Sequence, residues 1–150
     1  MRRATSVLAA GTWPAESAAG TVTLTWEDRH RRRIRLKDDA GAPFLLDLDR
    51  AAVLSDGDGL ALNGDGVLGV RAAVQPVIDV RCRSAAEAAR IAWHLGNRHT
   101  PIQVLADGTL RLLDDHVLAD MLRRLGVEPV RHEAPFEPEA GAYAGDHHGH

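Results

Sequence analysis

The chain has 150 residues, of which 45% are hydrophobic and 26% charged, a composition typical of a globular protein rather than a disordered or membrane-spanning one. Its net charge of −3 gives no overall electrostatic reason for binding nucleic acid or a membrane surface. Cys82 is the only cysteine, which excludes an intrachain disulfide.

Residues 21–72 alternate apolar and polar side chains between turns, which is the pattern of short β-strands. TVTLTW alternates first, RRRIRLK then places Ile34 and Leu36 on one face, and the turn DDAGAP precedes FLLDLD. The segments SDGDG and NGDG predict turns before the strands LAL and VLGVRAA. We therefore predict a small all-β domain over residues 1–73.

The pattern changes near residue 74. PVIDVRC reads as a strand, and Ser84 with Glu87 forms a capping box that begins a helix. Gly96 is placed to end that helix as its C′ residue. The apolar stripe of the helix consists of Ala88, Ile91, Ala92 and Leu95.

A hairpin and a second helix follow. PIQVL and TLRLL flank an Asp-Gly turn, and DDHVLADMLRRLG begins with an aspartate cap and ends at Gly126. VEPVRHE closes the series as a strand. The apolar positions of this helix are Val117, Leu118, Met121, Leu122 and Leu125.

The resulting order, β-α-β-β-α-β, predicts a ferredoxin-like domain over residues 74–137. The fold class is therefore α+β, with the all-β domain first. Residues 138–150 lack hydrophobic periodicity, and we expect them to form a flexible, His-containing tail. No run of about 18 apolar residues is present, and the N-terminal segment is too polar for a secretory signal, so we expect a cytoplasmic protein.

The segment HLGNRH carries the first candidate ligands. His94 falls in the last turn of the first helix, where an imidazole can serve simply as a cap for the terminal carbonyls. His99 lies beyond the helix and before Thr-Pro, which predicts an extended, exposed conformation. An exposed neutral imidazole is a competent ligand for a borderline metal ion.

The segment LDDH carries the second set of candidate metal ligands. Asp114 or Asp115 is the expected N-cap of the second helix. His116 lies in the first helical turn, where the helix dipole disfavours its charged form and a neutral, metal-binding form fits better. Cys82 is most simply a small buried hydrophobe. In the tail, His147, His148 and His150 can wrap a divalent ion, although nothing fixes their geometry.

Two other segments give weaker signals. DGDG lacks the third oxygen ligand of a calcium loop, since Leu60 stands at that position, and we interpret it as a tight turn. RHRRRIR predicts a solvated strand or a docking surface for an acidic partner, because no aromatic platform accompanies its arginines. One chain does not supply the three fixed ligands that a catalytic metal needs, which favours binding and release of a metal.

Three segments together, HLGNRHTPIQV, DHVLADMLRRLG and PFEPEAGAY followed by a His-bearing tail, resemble the UreE family of urease accessory proteins, which are nickel metallochaperones. The resemblance implies a peptide-binding-like first domain and a second domain that dimerises. It implies that His99 of each subunit binds Ni(II) at the interface of a homodimer. Zn(II) or Cu(II) can bind the same ligands, because imidazole does not select among these metals.

The same resemblance implies auxiliary ligands. His116 matches a family ligand position, whereas Asp114 stands where some relatives carry a histidine. Cys82 matches a cysteine that contributes to a peripheral site in some members. The tail has three histidines rather than a long run, which implies capture or transfer of the metal rather than storage.

The implied function is delivery of nickel to the urease maturation complex through contact with the urease accessory GTPase, without enzymatic activity. We expect no nucleic-acid or membrane partner. The alternative is a metal-independent protein-interaction adaptor with incidental metal binding in the tail. A metal hydrolase is a third interpretation, ranked last because no convincing general base accompanies His99.

Overall fold

The computed structural model describes residues 1–64 and 66–140, which form two compact units. The first unit comprises Met1–Ala73, and the second begins at Val74. Each unit has its own hydrophobic core, as expected for chain segments that bury their apolar residues separately. In the described residues no helix is long and apolar enough to cross a membrane.

The first unit is a curled six-stranded sheet. Its elements are β1 (Arg2–Leu8), a 3₁₀ turn (Ala15–Ser17), β2 (Gly20–Leu24), helix α1 (Trp26–Arg29), β3 (Arg33–Lys37), β4 (Pro43–Asp47), β5 (Gly59–Leu62) and β6 (Val67–Ala72). The spatial order is β2-β6-β5-β1-β4-β3, with β1 parallel to β4 and β2 parallel to β6. The remaining pairs are antiparallel.

Strand β1 occupies an interior position between β5 and β4, although the alternating pattern predicted strands only from residue 21. The predicted strand TVTLTW was also too long at its end. Thr25 caps α1 by accepting a hydrogen bond from the Asp28 N–H, and Trp26 is the first residue of that helix. The alternation of Ile34 and Leu36 is confirmed, since both pack against the core of the first unit.

The second unit has the order β7 (Val74–Val80), α2 (Ala85–Asn97), β8 (Gln103–Val104), β9 (Leu110–Leu113), α3 (His116–Arg124) and β10 (Val130–Pro135). The sheet runs β10-β7-β9-β8, and all neighbouring strands are antiparallel. The predicted β-α-β-β-α-β arrangement is confirmed.

Both helices of the second unit bury their apolar stripes against one face of this sheet. The shared core takes Ile78, Val80, Leu110 and Leu112 from the strands, and Ile91, Leu95 and Leu122 from the helices. Val117 is an exception to the predicted stripe, because 48% of it is exposed in the first turn of α3.

The segment after β10 is held in place, although residues from 138 onward were predicted to be a flexible tail. Phe136 is fully buried, and the Glu137 N–H donates to the side-chain oxygen of Gln103 at 3.0 Å. The Glu139 N–H donates to the Ile102 carbonyl at 2.7 Å. Residues 138–139 depart from that prediction, because the buried Phe136 and the hydrogen bonds from the Glu137 and Glu139 N–H groups anchor a segment that reads as a polar, proline-rich coil.

Candidate metal centre

Helix α2 begins with the predicted Ser84 cap. The Ser84 hydroxyl accepts from the Glu87 N–H at 3.1 Å, while Glu87 reaches back to the Arg83 N–H at 2.9 Å rather than to that of Ser84. The Arg83 guanidinium also donates to this carboxylate at 2.6 Å. Those two contacts from Arg83 lower the pKa of Glu87 from 4.5 to about 2. The start of the helix is thus fixed by a charged capping arrangement.

The end of α2 differs from the prediction that placed Gly96 at C′. The helix continues to Asn97, and His99 occupies the C′ position. The His99 N–H donates to the Gly96 carbonyl at 2.9 Å, and the Thr100 N–H donates to the Leu95 carbonyl at 3.0 Å. These two bonds form the Schellman motif, which needs a left-handed residue at C′.

His99 accordingly has φ of +60°, and it is the one non-glycine residue with positive φ among those that the structure describes. A left-handed conformation costs an L-residue about 1–2 kcal/mol, although histidine tolerates it better than most residues. The predicted extended conformation of His99 was therefore wrong, but its predicted exposure is confirmed. Such strain is retained where the surrounding structure fixes it, and it concentrates at functional sites.

The two imidazoles of HLGNRH lie in different environments. His94 is half-buried in the last turn of α2, and its ring meets that of Trp93 edge-on at a centroid distance of 5.0 Å. Neither imidazole makes a hydrogen bond within residues 1–64 and 66–140, so neither ring caps the carbonyls at the end of α2. His99 is thus an exposed imidazole at a fixed backbone position.

The LDDH segment supplies the cap of α3. Asp115 accepts from the N–H groups of Val117 and Leu118 at 2.8 and 3.1 Å. His116 is the first helical residue and is exposed. Asp114 is already paired with Arg131, whose Nε lies 2.9 Å from its Oδ1. A metal at Asp114 has to compete with this guanidinium.

Cys82 follows β7 in a shallow cleft of about 440 Å³ that also includes Arg81, Ser84 and Thr109. Burial, and then the charge of Glu87, raise the pKa of the Cys82 thiol. The thiolate is the form of cysteine that binds metals, so this environment makes Cys82 a poorer ligand than an exposed cysteine.

The structure does not assemble these candidates into one cluster. Within residues 1–64 and 66–140, no three His, Cys, Asp or Glu residues come together in a way that could hold a metal ion. His147, His148 and His150 lie outside the described residues. In the described part of a single chain, His99 is therefore an isolated candidate ligand.

Sequence reasoning missed the contacts that fix the chain beyond β10. Besides the bond of Glu139 to Ile102, the Glu139 carboxylate accepts from the Val104 N–H at 3.1 Å. These contacts bring residue 139 to β8, the strand that begins four residues after His99. The single bulky residue Phe136 between two prolines was the signal that this segment is packed rather than free.

A second missed feature is an ion-pair network on the strands of the second unit. Asp79 contacts Arg111 Nε at 2.7 Å and His132 Nε2 at 2.8 Å. Burial raises the pKa of Asp79, but hydrogen bonds from Arg111 and His132 outweigh it and leave that pKa below its ordinary value. His132 is therefore engaged with a carboxylate and not available as a ligand in this arrangement.

Comparison with known proteins matches both halves of the chain. Residues 3–73 match the family model described as the N-terminal domain of the UreE urease accessory protein, and residues 75–150 match that of its C-terminal domain.

Several curated proteins named "Urease accessory protein UreE" are similar over most of the chain. The protein from Rhodopseudomonas palustris (strain BisB18) is 49% identical over 144 residues, covering 96% of this chain and 67% of that protein. The protein from R. palustris (strain HaA2) is 49% identical over 134 residues, covering 89% and 62%. The protein from Beijerinckia indica subsp. indica is 46% identical over 153 residues, covering 100% and 87%.

Proposed function

The chain belongs to the UreE family of urease accessory proteins, and on that premise we propose that it binds Ni(II) and delivers it to the urease maturation complex. The observation that carries the proposal is the exposed imidazole of His99, held at a strained C′ position by two backbone hydrogen bonds. In this account nickel is cargo, and the protein is not an enzyme.

His99 suits a ligand that must bind and then release its metal. Its backbone is fixed by the end of α2, while its ring makes no hydrogen bond or ion pair in the described part of the chain that a metal would have to displace. One imidazole gives weak binding, and water can fill the other positions. Zn(II) and Cu(II) are expected to bind the same ligand, since the intrinsic affinity order favours copper over nickel.

The second ligand comes, in this proposal, from His99 of the partner in a homodimer. A two-fold axis brings the same surface of both subunits together, so one exposed residue near the axis supplies two ligands. Trp93 supports α2 as part of this interface, because 63% of this indole is exposed six residues before His99. Exposed aromatic residues are enriched at protein interfaces.

The auxiliary residues are expected to contribute less to metal binding than His99. His116 is exposed at the start of α3 and can bind a metal, whereas Asp114 and Cys82 are hindered by an ion pair and by burial, respectively. His147 lies eight residues after the anchored Glu139, and eight extended residues span at most about 28 Å. We propose that the tail histidines capture or transfer the metal.

The partners follow from family membership. We propose contact with the urease accessory GTPase and the maturation complex in the cytoplasm, with the first unit serving as a peptide-binding domain for protein partners. Neither nucleic acid nor a membrane is a proposed partner.

Calorimetric titration of Ni(II) into the chain ended after Tyr143 tests the metal site without the tail. We expect about one ion bound per two chains, lost in His99→Ala and retained in the matched control His94→Ala. The mass of each protein is measured by light scattering, so that a loss of metal is separated from a loss of the dimer.

The adaptor interpretation predicts the opposite pattern. If the shortened chain binds no nickel, the metal ligands of this protein are those of the tail, and the His99 site does not exist. If His99→Ala binds as well as the parent, another residue is the ligand and the assignment is wrong.

A further inference from the structure

Strand β3 forms one edge of the six-stranded sheet of the first unit. It pairs with β4 in an antiparallel register that places Arg33 opposite Asp47 and Lys37 opposite Pro43. In the described residues no other strand pairs with it. Its other edge therefore presents backbone groups that the sheet does not use.

The register shows which residues present these groups. The Asp38 N–H donates to the Ala42 carbonyl, and the Arg32 carbonyl accepts from the Leu48 N–H, so the even-numbered residues face β4. Bonding directions alternate along an antiparallel strand. The N–H and C=O groups of Arg33, Arg35 and Lys37 consequently point outward, away from the sheet.

The same three residues place positive charge on the outer face, because Ile34 and Leu36 between them pack against the core. Arg3 on β1 lies beside them, since β1 and β3 both flank β4. Asp47 pairs with both Arg3 and Arg33. We call Arg3, Arg33, Arg35 and Lys37 the β3 surface. It carries four cations, and Asp47 pairs with two of them.

Arg35 and Lys37 are the available charges of the β3 surface. Both are exposed, and neither side chain makes an ion pair or hydrogen bond within residues 1–64 and 66–140. Their Cα atoms are two residues apart, a spacing of about 6.6–6.8 Å in a strand. Carboxylates on alternate residues of an added strand would meet this spacing.

The opposite edge of the sheet, β2, is already covered. Asp39 donates its N–H to the Thr21 carbonyl at 2.8 Å, and its carboxylate accepts from the Thr23 N–H at 3.0 Å. The turn after β3 thus imitates a strand on β2 and blocks that edge. β3 is the end of the sheet where a further strand can be added.

We propose that β3 binds an extended acidic segment of a partner protein as an additional strand, with acidic side chains at alternate positions facing the β3 surface. The inference rests on the partner-binding role proposed for the first unit, but it does not depend on the metal site. It identifies where in that unit the segment binds and what its chemistry is.

Two other occupants fit less well. A second copy of β3 would place arginine and lysine opposite arginine and lysine, and like charges directly opposite destabilise a strand pair. A single-stranded nucleic acid could meet the charges, but base stacking needs an aromatic platform, and the cross-strand neighbour of Arg35 is Leu45.

The test uses fluorescence anisotropy with a labelled eight-residue peptide that alternates Glu and Thr. Its controls are the same peptide with Gln in place of Glu, and the Glu peptide with its backbone nitrogens methylated, which keeps the charge but cannot donate to β3. We expect the Glu peptide to bind, and each control to bind about tenfold more weakly or worse.

Two substitutions at one position separate charge from backbone pairing in the protein. Arg35→Ala removes a cation and should weaken binding about threefold. Arg35→Pro also removes an outward N–H that the sheet does not use, so it should fold and weaken binding about tenfold. Arg90→Ala, an exposed arginine of the second unit, is the matched control and should change nothing.

Equal binding of the methylated peptide, equal binding of oligo-dT at the same salt concentration, or no binding of the Glu peptide would each overturn the proposal. If Arg35→Pro fails to fold by circular dichroism, the methylated peptide decides alone. Nickel titration of the unsubstituted chain keeps the two proposals apart. Nickel binding without binding of the Glu peptide defeats only the β3 proposal, and binding of the Glu peptide without nickel binding defeats only the metal site.

Discussion

His99 combines a backbone conformation that costs stability with an exposed side chain that makes no hydrogen bond or ion pair in the described residues. If packing alone had determined this position, glycine would be the expected residue, as it is at the C′ position of α3, where Gly126 has φ of +89°. The two helix ends use the same hydrogen-bond motif with different residues. The difference is explained if the imidazole of His99 is needed for binding.

We therefore predict that His99→Gly is more stable than the parent by about 1 kcal/mol, and that His99→Ala is less stable than His99→Gly. A chain of this length should show a rise in Tm of about 3 °C. Both variants should lose the nickel site, so stability and metal binding change in opposite directions in His99→Gly. Differential scanning calorimetry without metal measures the order of thermal stability of the parent and the two variants.

A His99→Gly variant less stable than the parent would contradict this account. It would mean that the ring of His99 stabilises the fold, and that the left-handed conformation is not a cost borne for function.

The exposure and chemistry of His99 could be predicted from the sequence, but its conformation could not. Gly96 was the stronger C′ candidate on residue type, and only the hydrogen bonds from the His99 and Thr100 N–H groups to the Gly96 and Leu95 carbonyls show that the helix continues past it. The second ligand could not be derived from the residues of one chain at all, because it is supplied by symmetry in the proposed dimer.

At the scale of elements, the start of α2 is held by a carboxylate whose protonation matters. The pKa of Glu87 is about 2, below its ordinary value of 4.5, first because Arg83 donates to it. A lowered folded-state pKa stabilises the protein fully above 4.5, and this contribution disappears as the pH falls toward 2.

Glu87→Gln should therefore lower the midpoint of urea unfolding at pH 7, and the gap between variant and parent should narrow below pH 4.5. Urea titrations from pH 7 to pH 3 measure this gap. Glu128→Gln is the control, because the Glu128 side chain is 79% exposed and lies 3.9 Å from Arg123. A gap that stays constant with pH would show that the Glu87 charge does not act through its titration.

The stability of the first unit depends on the close packing of the Trp13 side chain against strands β5 and β6. The Trp13 indole donates to the Gly57 carbonyl at 3.2 Å and lies against β5 and β6. A Cβ on Gly59 would lie 2.7 Å from Cε2 of Trp13 and 2.7 Å from Cγ1 of Val67. A Cβ on the paired Gly69 would lie 3.5 Å from Trp13, which is ordinary contact.

We predict that Gly59→Ala destabilises the protein by about 1–3 kcal/mol through this overlap, whereas Gly69→Ala is neutral or slightly stabilising. Denaturant unfolding of both variants, followed by circular dichroism, measures the difference. Equal effects of the two substitutions would show that Trp13 is free to move away from the sheet.

Most elements could be predicted from periodicity and caps, and the exceptions have a physical cause. β1 contains two arginines and carries only Ala4 as a fully buried residue, so its interior position depends on the neighbours β4 and β5 rather than on its own pattern. The segment 136–139 has no periodicity, and its position depends on tertiary hydrogen bonds and the burial of Phe136.

At the scale of the whole molecule, we predict that the exposed face of α2 forms the dimer interface. Trp93→Arg should convert the dimer to a monomer and abolish nickel binding even though His99 is unchanged, because a buried arginine without a partner opposes association. Val130→Arg is the control, since Val130 is an apolar residue on β10 that is already 50% exposed. Analytical ultracentrifugation measures the mass. A dimeric Trp93→Arg variant would place the interface elsewhere.

The central claim is that nickel is shared by the His99 residues of two chains, and native mass spectrometry of the chain ended after Tyr143 tests it most directly. The account predicts a dimer that carries one nickel ion, and a His99→Ala dimer that carries none. One nickel ion on each monomer, or a His99→Ala protein that still carries nickel, would contradict it.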